Sequence, residues 1–126
     1  MVVIKIEKKL IMKKIQIEKS NIISLFNQKK FDKISKISTK ILEQFNEQIE
    51  LVKIVVISYL NQKNYFKAEQ YLKNSLLKLD SAELNYFLGN TYKIQDKNLE
   101  AIDAYKKSIS LKSDYSEAYN NLANVQ

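Results

Sequence analysis

One spacing recurs along this chain and restricts its fold more than any other feature. Leu88-Gly89 and Tyr92 are followed by Ala101, Tyr105 and Ser108. One period earlier, Val55-Val56 and Tyr59 are followed at the same intervals by Ala68, Leu72 and Ser75. One period further back, Leu25 is followed by Ile34, Ser38 and Ile41, and one period forward of Leu88 stands Leu122-Ala123. A repeat of about 34 residues marks stacked supersecondary units, each too small to bury its apolar face alone.

Within each period, apolar residues fall three and four apart, the spacing of an amphipathic helix. Leu84, Phe87, Leu88 and Tyr92 form one such stretch, and Ala101, Ile102, Tyr105 and Ile109 form the next. Gln95-Asp96-Lys97 between them is a polar break of hairpin length. Small residues (Ala68, Gly89, Ala101, Ala123) alternate with large aromatics (Phe31, Tyr59, Tyr65, Tyr92, Tyr105), so paired helices can interdigitate. The chain has one Gly and no Pro. Tight strand hairpins need glycine, and helix interiors want neither residue. The expected class is all-α.

At these residues the chain resembles the tetratricopeptide repeat, a helix–turn–helix unit. The resemblance implies a right-handed α-solenoid of about three and a half units. Residues 15–126 would form the repeat domain, with units at about 15–48, 49–81 and 82–115 and a half unit at 116–126. The unit at 82–115 matches best and the one at 15–48 least. Ser81 and Ser113 stand where the family usually has Pro, and Ser can still cap a following helix. Residues 1–14 read as a basic extension or a helix covering the first unit's open face, the cover being preferred because an unpaired repeat face needs hiding. The half unit leaves Tyr119, Leu122 and Val125 without a partner helix, so a fragment of a longer protein is expected, the alternative being that the half unit is itself the cap; end-to-end self-association of exposed ends is a further expectation.

Composition excludes whole function classes. There is no Cys and no His, which removes disulfides, thiolate zinc sites and imidazole-based triads. One glycine cannot build a dinucleotide fingerprint or a phosphate-binding loop. No enzyme, cofactor or metal is expected in these residues. The net charge of +7 sits in the first forty residues, which carry 11 Lys against 3 acids, whereas the rest carries 10 Lys against 11 acids. Every basic residue is Lys, and the lack of Arg argues against sequence-specific nucleic-acid binding. No apolar run is long enough to span a membrane. Membrane attachment is not expected, the Lys-rich N-terminus, readable as a basic amphipathic segment on anionic lipid, being the one route to it. The apolar start Met1–Ile6 is broken by Glu7, Lys8 and Lys9, so no secretory leader is expected and the default location is cytoplasmic. Met12-Lys13-Lys14 resembles a start of its own, which would make residues 1–11 an upstream extension.

The leading expectation is a non-catalytic scaffold that binds a peptide or partner domain in a concave groove. The alternative is the N-terminal arm of a larger enzyme, such as a glycosyltransferase or sulfotransferase. The resemblance places Lys53, Ile57, Tyr86, Asn90, Lys93, Asn120 and Asn124 on or near the groove. Asn side chains can pair with an extended backbone, Tyr86 offers a flat apolar face, and the lysines suit an acidic segment. A clamp for C-terminal carboxylates would need Lys and Asn four apart on one helix. Lys19/Ile23, Lys53/Ile57 and Tyr86/Asn90 supply no such pair. In sugar-transferase arms an Asn precedes the signature Leu of each repeat. Asn121 fits that slot, but Phe87 and Ile54 do not. Two substitutions probe the register: Ala101→Glu should bury a charge and destabilise strongly, while Lys97→Glu, in the polar break, should do little.

Overall fold

The computed structural model describes residues 2–126, and Met1, on which the reading of the chain's start partly rests, lies outside the described residues. Every described element is helical: α1 (Val2–Asn27), α2 (Phe31–Ser35), α3 (Thr39–Leu42), a 3-10 turn (Glu43–Phe45), α4 (Ile49–Asn61), α5 (Tyr65–Lys78), α6 (Ala82–Ile94), α7 (Asn98–Leu111) and α8 (Ser116–Val125). Consecutive helices pack on one another: α4 on α5, α5 on α6, α6 on α7 and α7 on α8, with α1 closing on α2 and α4. The result is a stack of helix–turn–helix units.

The repeat spacing is also a spacing of backbone conformation. Lys29, Lys63 and Asp96 have φ of 57°, 59° and 58°, the left-handed region, and each sits just past the first helix of its unit. The next amide reaches back five residues to close the turn: Lys30 N–H donates to Leu25 O at 2.9 Å, Asn64 to Tyr59 at 2.8 Å, and Lys97 to Tyr92 at 2.9 Å. These bonds satisfy carbonyls that a helix end leaves open. Helix starts are capped unevenly. Ser81 Oγ accepts from the Leu84 amide at 3.3 Å and Asn64 Oδ1 from Lys67 at 3.3 Å. Ser113 caps nothing, since α8 begins after Tyr115 without a side-chain cap.

The core is continuous along the stack. Val55, Val56, Ala68, Leu72, Ala101, Tyr105 and Ser108 are fully buried, as the spacing requires. Gly89 lets the Tyr105 ring approach, and a Cβ there would fall 2.5 Å from Tyr105 Cε1. At the equivalent place in the preceding unit, Val56 and Leu72 are both buried, so a larger residue on one helix goes with a smaller one on the other. A polar link joins the first two units, Tyr71 O–H donating to Leu42 O at 2.8 Å, and another closes the third unit on itself, Ser108 O–H donating to Ala82 O at 2.7 Å.

Three expectations need correction. In the first unit Ile34 is buried, but Ser38 and Ile41 are exposed, and Leu42 and Phe45 fill the core instead. Its second helix breaks after Ser35 and resumes at Thr39, which shifts the apolar register. The intervening run of Ser, Ile and Thr explains the break, since β-branched residues and short hydroxyls are weak helix formers; Ser35 O–H donates to Asp32 O at 2.8 Å. Second, residues 2–14 are helical but exposed throughout, so within this chain they cover little of the first unit, and α1 joins the core only from Ile15 onward. Third, Lys97 is not an idle turn residue. Its Nζ lies 3.1 Å from the carboxylate of Glu69, a side chain only 7% exposed, and 5.9 Å from the Tyr92 ring centroid.

Candidate functional site

The first helices of successive units, α4, α6 and α8, lie side by side. Their common face holds a shallow depression of about 450 Å³, lined by Leu60 of α4, Phe87, Asn90, Lys93 and Ile94 of α6, and Asn121 of α8. Three apolar side chains and three polar ones thus face one space. Such a surface can seat an aliphatic side chain while holding the chain that carries it.

One wall is held by a hydrogen-bond network. Asn90 Oδ1 accepts from the Tyr105 hydroxyl at 2.6 Å and from Asn121 Nδ2 at 2.8 Å. Asn121 Nδ2 also lies 3.2 Å from the Tyr86 hydroxyl, which accepts. Burial pushes the Tyr105 phenol up to about 12, partly offset by the hydrogen bond with Asn121 and reinforced by neighbouring Tyr86. Tyr86 packs on Tyr115 with ring centroids 5.1 Å apart and on Tyr105 at 6.1 Å. Burial, followed by Glu83 and Tyr86, raises the Tyr115 phenol to about 12 as well. These aromatic residues and amides tie α6, α7 and α8 into one rigid wall.

The structure divides the residues expected in the groove. Asn90 and Lys93 line the depression, and Tyr86 supports it through Asn121. Lys53 lies outside it, its Nζ 2.7 Å from Glu83 and 3.6 Å from Glu50. The hydrogen bond to Glu83 holds the Lys53 ammonium above its usual range, against the opposing effect of burial. Ile57 is half-buried on α4, and Asn120 and Asn124 are exposed on α8; none of the three lines the depression. Leu60, Phe87, Ile94 and Asn121 were missed. Phe87 and Asn121 share a signal, since each directly precedes a signature leucine. Among the described residues, no group of three or more His, Cys, Asp or Glu could hold a metal ion.

Comparison with known proteins agrees with this architecture. The family described as TPR repeat matches residues 89–126. Two solved structures of MamA are similar: one at 26% identity and TM-score 0.71, covering 81% of this chain and 60% of that one, the other at 25% identity and TM-score 0.76, covering 88% and 61%. The chain therefore spans about 60% of the length of these MamA structures. The first TPR of Spaghetti (RPAP3), bound to the HSP90 peptide SRMEEVD, shares the fold at 20% identity and TM-score 0.75, covering 88% of this chain and 89% of that one. No curated protein matches the sequence. Repeat spacing, left-handed turns and stacked hairpins give the chain a tetratricopeptide-like fold, and the TPR-repeat family is matched over its last 38 residues.

Proposed function

We propose that this chain is a peptide-binding scaffold whose groove, centred on Phe87, Asn90, Lys93 and Asn121, receives an extended segment of a partner protein. The observation that carries the reading is the depression itself, where aliphatic and aromatic walls meet one cation and two amides. An aliphatic side chain would enter between Leu60, Phe87 and Ile94. Lys93 favours a neighbouring acidic residue, and the amide of Asn90 or Asn121 can bond a peptide backbone. A similar fold holding an acidic peptide in the Spaghetti (RPAP3) structure supports the reading by analogy. The test is an array of short extended peptides that vary one aliphatic and one acidic position, probed with wild type and with Lys93→Glu and Phe87→Ala. Wild type should select an aliphatic residue beside an acid, Lys93→Glu should shift selection to basic residues, and Phe87→Ala should lose the aliphatic preference. Identical selections by all three proteins would refute the groove.

The finer reading, an arm of a sugar transferase or sulfotransferase, rests on Asn121 and the run Tyr119–Asn124 around it. Its amide nitrogen is bound to Tyr86 and Asn90, leaving only its oxygen for a guest, and the equivalent slots hold Phe87 and Ile54, so no ladder of amides runs along the groove.

A further inference from the structure

The first half of α1 is an arm outside the stack. Residues 2–14 continue the helix without a break, reach about 20 Å from Ile15, and are exposed at every position. Val3, Ile4, Ile6, Leu10 and Ile11 are each more than half exposed to water. So much unpartnered aliphatic surface on one segment marks an interaction site.

The arrangement of charge identifies the occupant. At 3.6 residues per turn, Lys5, Lys8, Lys9 and Lys13 fall within a sector of about 140°. Two aliphatic stripes lie on the other side, one of Val3, Ile6, Leu10 and Ile17, the other of Ile4, Ile11 and Ile15, while Val2 and Met12 fall within the Lys sector. Lys14 lies between the stripes, where its long stem can carry the ammonium outward. Glu7, also between them, is the one acid among residues 2–14, against five Lys. A second copy would carry the same excess of positive charge and be repelled by it. An anionic cover answers the charge. The apolar positions spread over two stripes rather than one narrow seam, a surface that a fluid interface matches and a rigid protein groove does not. No described helix is long and apolar enough to cross a membrane, so the arm would lie on the surface rather than span it.

We propose that residues 2–14 of α1 dock on an anionic lipid surface, with Val3, Ile6 and Leu10 in the headgroup boundary and the Lys sector meeting lipid phosphates. The site is independent of the peptide groove, and either reading can fail alone. The proposal departs from the expectation of no membrane attachment, and it rests on the arm being exposed instead of folded over the first unit.

The test is flotation of the full chain with vesicles of phosphatidylcholine alone and of an equal mixture with phosphatidylglycerol. The chain should float with the mixture and stay behind with phosphatidylcholine. The quadruple Lys5→Glu, Lys8→Glu, Lys9→Glu, Lys13→Glu variant and the double Ile6→Asp, Leu10→Asp variant should each lose about tenfold or more of the partitioning, whereas Glu7→Lys should strengthen it. All these positions lie on the exposed arm, so the thermal melt of the stack should not change, and circular dichroism controls for that. Equal flotation with both vesicle types, or none with either, overturns the proposal. So does an oligomer in light scattering that Leu10→Asp abolishes while flotation persists unchanged, because the aliphatic stripe would then belong to a second copy.

Discussion

Gly89 owes its identity to Tyr105. A methyl there would meet the ring at 2.5 Å, and the ring cannot retreat because Asn90 holds its hydroxyl at 2.6 Å. Gly89→Ala should therefore lower stability by about 1–3 kcal/mol in denaturant melts. Adding Tyr105→Leu should return part of that loss, since the preceding unit already packs a valine and a leucine at the equivalent places. The small-against-large pairing was legible because both residues belong to one repeat. The role of Lys97 was not, because its partner Glu69 lies 28 residues away on the neighbouring unit. Lys97→Glu sets a second carboxylate beside a nearly buried one and removes the cation over Tyr92. We expect a loss of about 1–2 kcal/mol, discounted because Lys97 itself is partly exposed, with Lys97→Met costing less. Thermal melting of the two variants side by side checks the sign and the order.

At the scale of elements, the turns carry an avoidable cost. Lys29, Lys63 and Asp96 hold a backbone conformation that glycine adopts freely and other residues resist. Lys63→Gly and Asp96→Gly should each stabilise the chain by about 0.5–1 kcal/mol, visible as a higher melting temperature. Sequence reading found these turns from their polarity and spacing but could not find their geometry, since the usual glycine is absent. The helices themselves were legible wherever a full apolar stripe repeats. The second helix of the first unit was the exception. Ile34 kept its place, yet the weak run after Ser35 let the chain break and slip, and Leu42 and Phe45 took over positions the spacing gave to Ser38 and Ile41. Periodicity assumes an unbroken helix, and local propensity decided otherwise.

Across the whole molecule, buried phenols couple stability to alkaline pH. Burial raises Tyr59 and Tyr71 above their ordinary range and moves Tyr105 from 10.0 to about 12. The unfolded chain begins to ionise these groups near pH 10 while the fold keeps them neutral. Their contribution is complete below about pH 10 and falls away as the pH climbs toward about 12. Melting temperatures followed from neutral to strongly alkaline solution should hold steady and then drop, and the drop should be smaller in Tyr59→Phe relative to that variant's own neutral-pH value. The stacked architecture was legible throughout, but the groove only in part. Asn90 and Lys93 stand on the face of the depression because their places on α6 follow from the repeat, whereas Lys53 was read without sight of Glu83, a neighbour 30 residues on. That ion pair has a consequence for selectivity. Glu83 already occupies Lys53 much as an incoming carboxylate would, so any acidic visitor reaching that end must first evict a resident imitator. Lys93 lines the depression and makes no ion pair among the described residues, so under the proposed reading negative charge would be met there first.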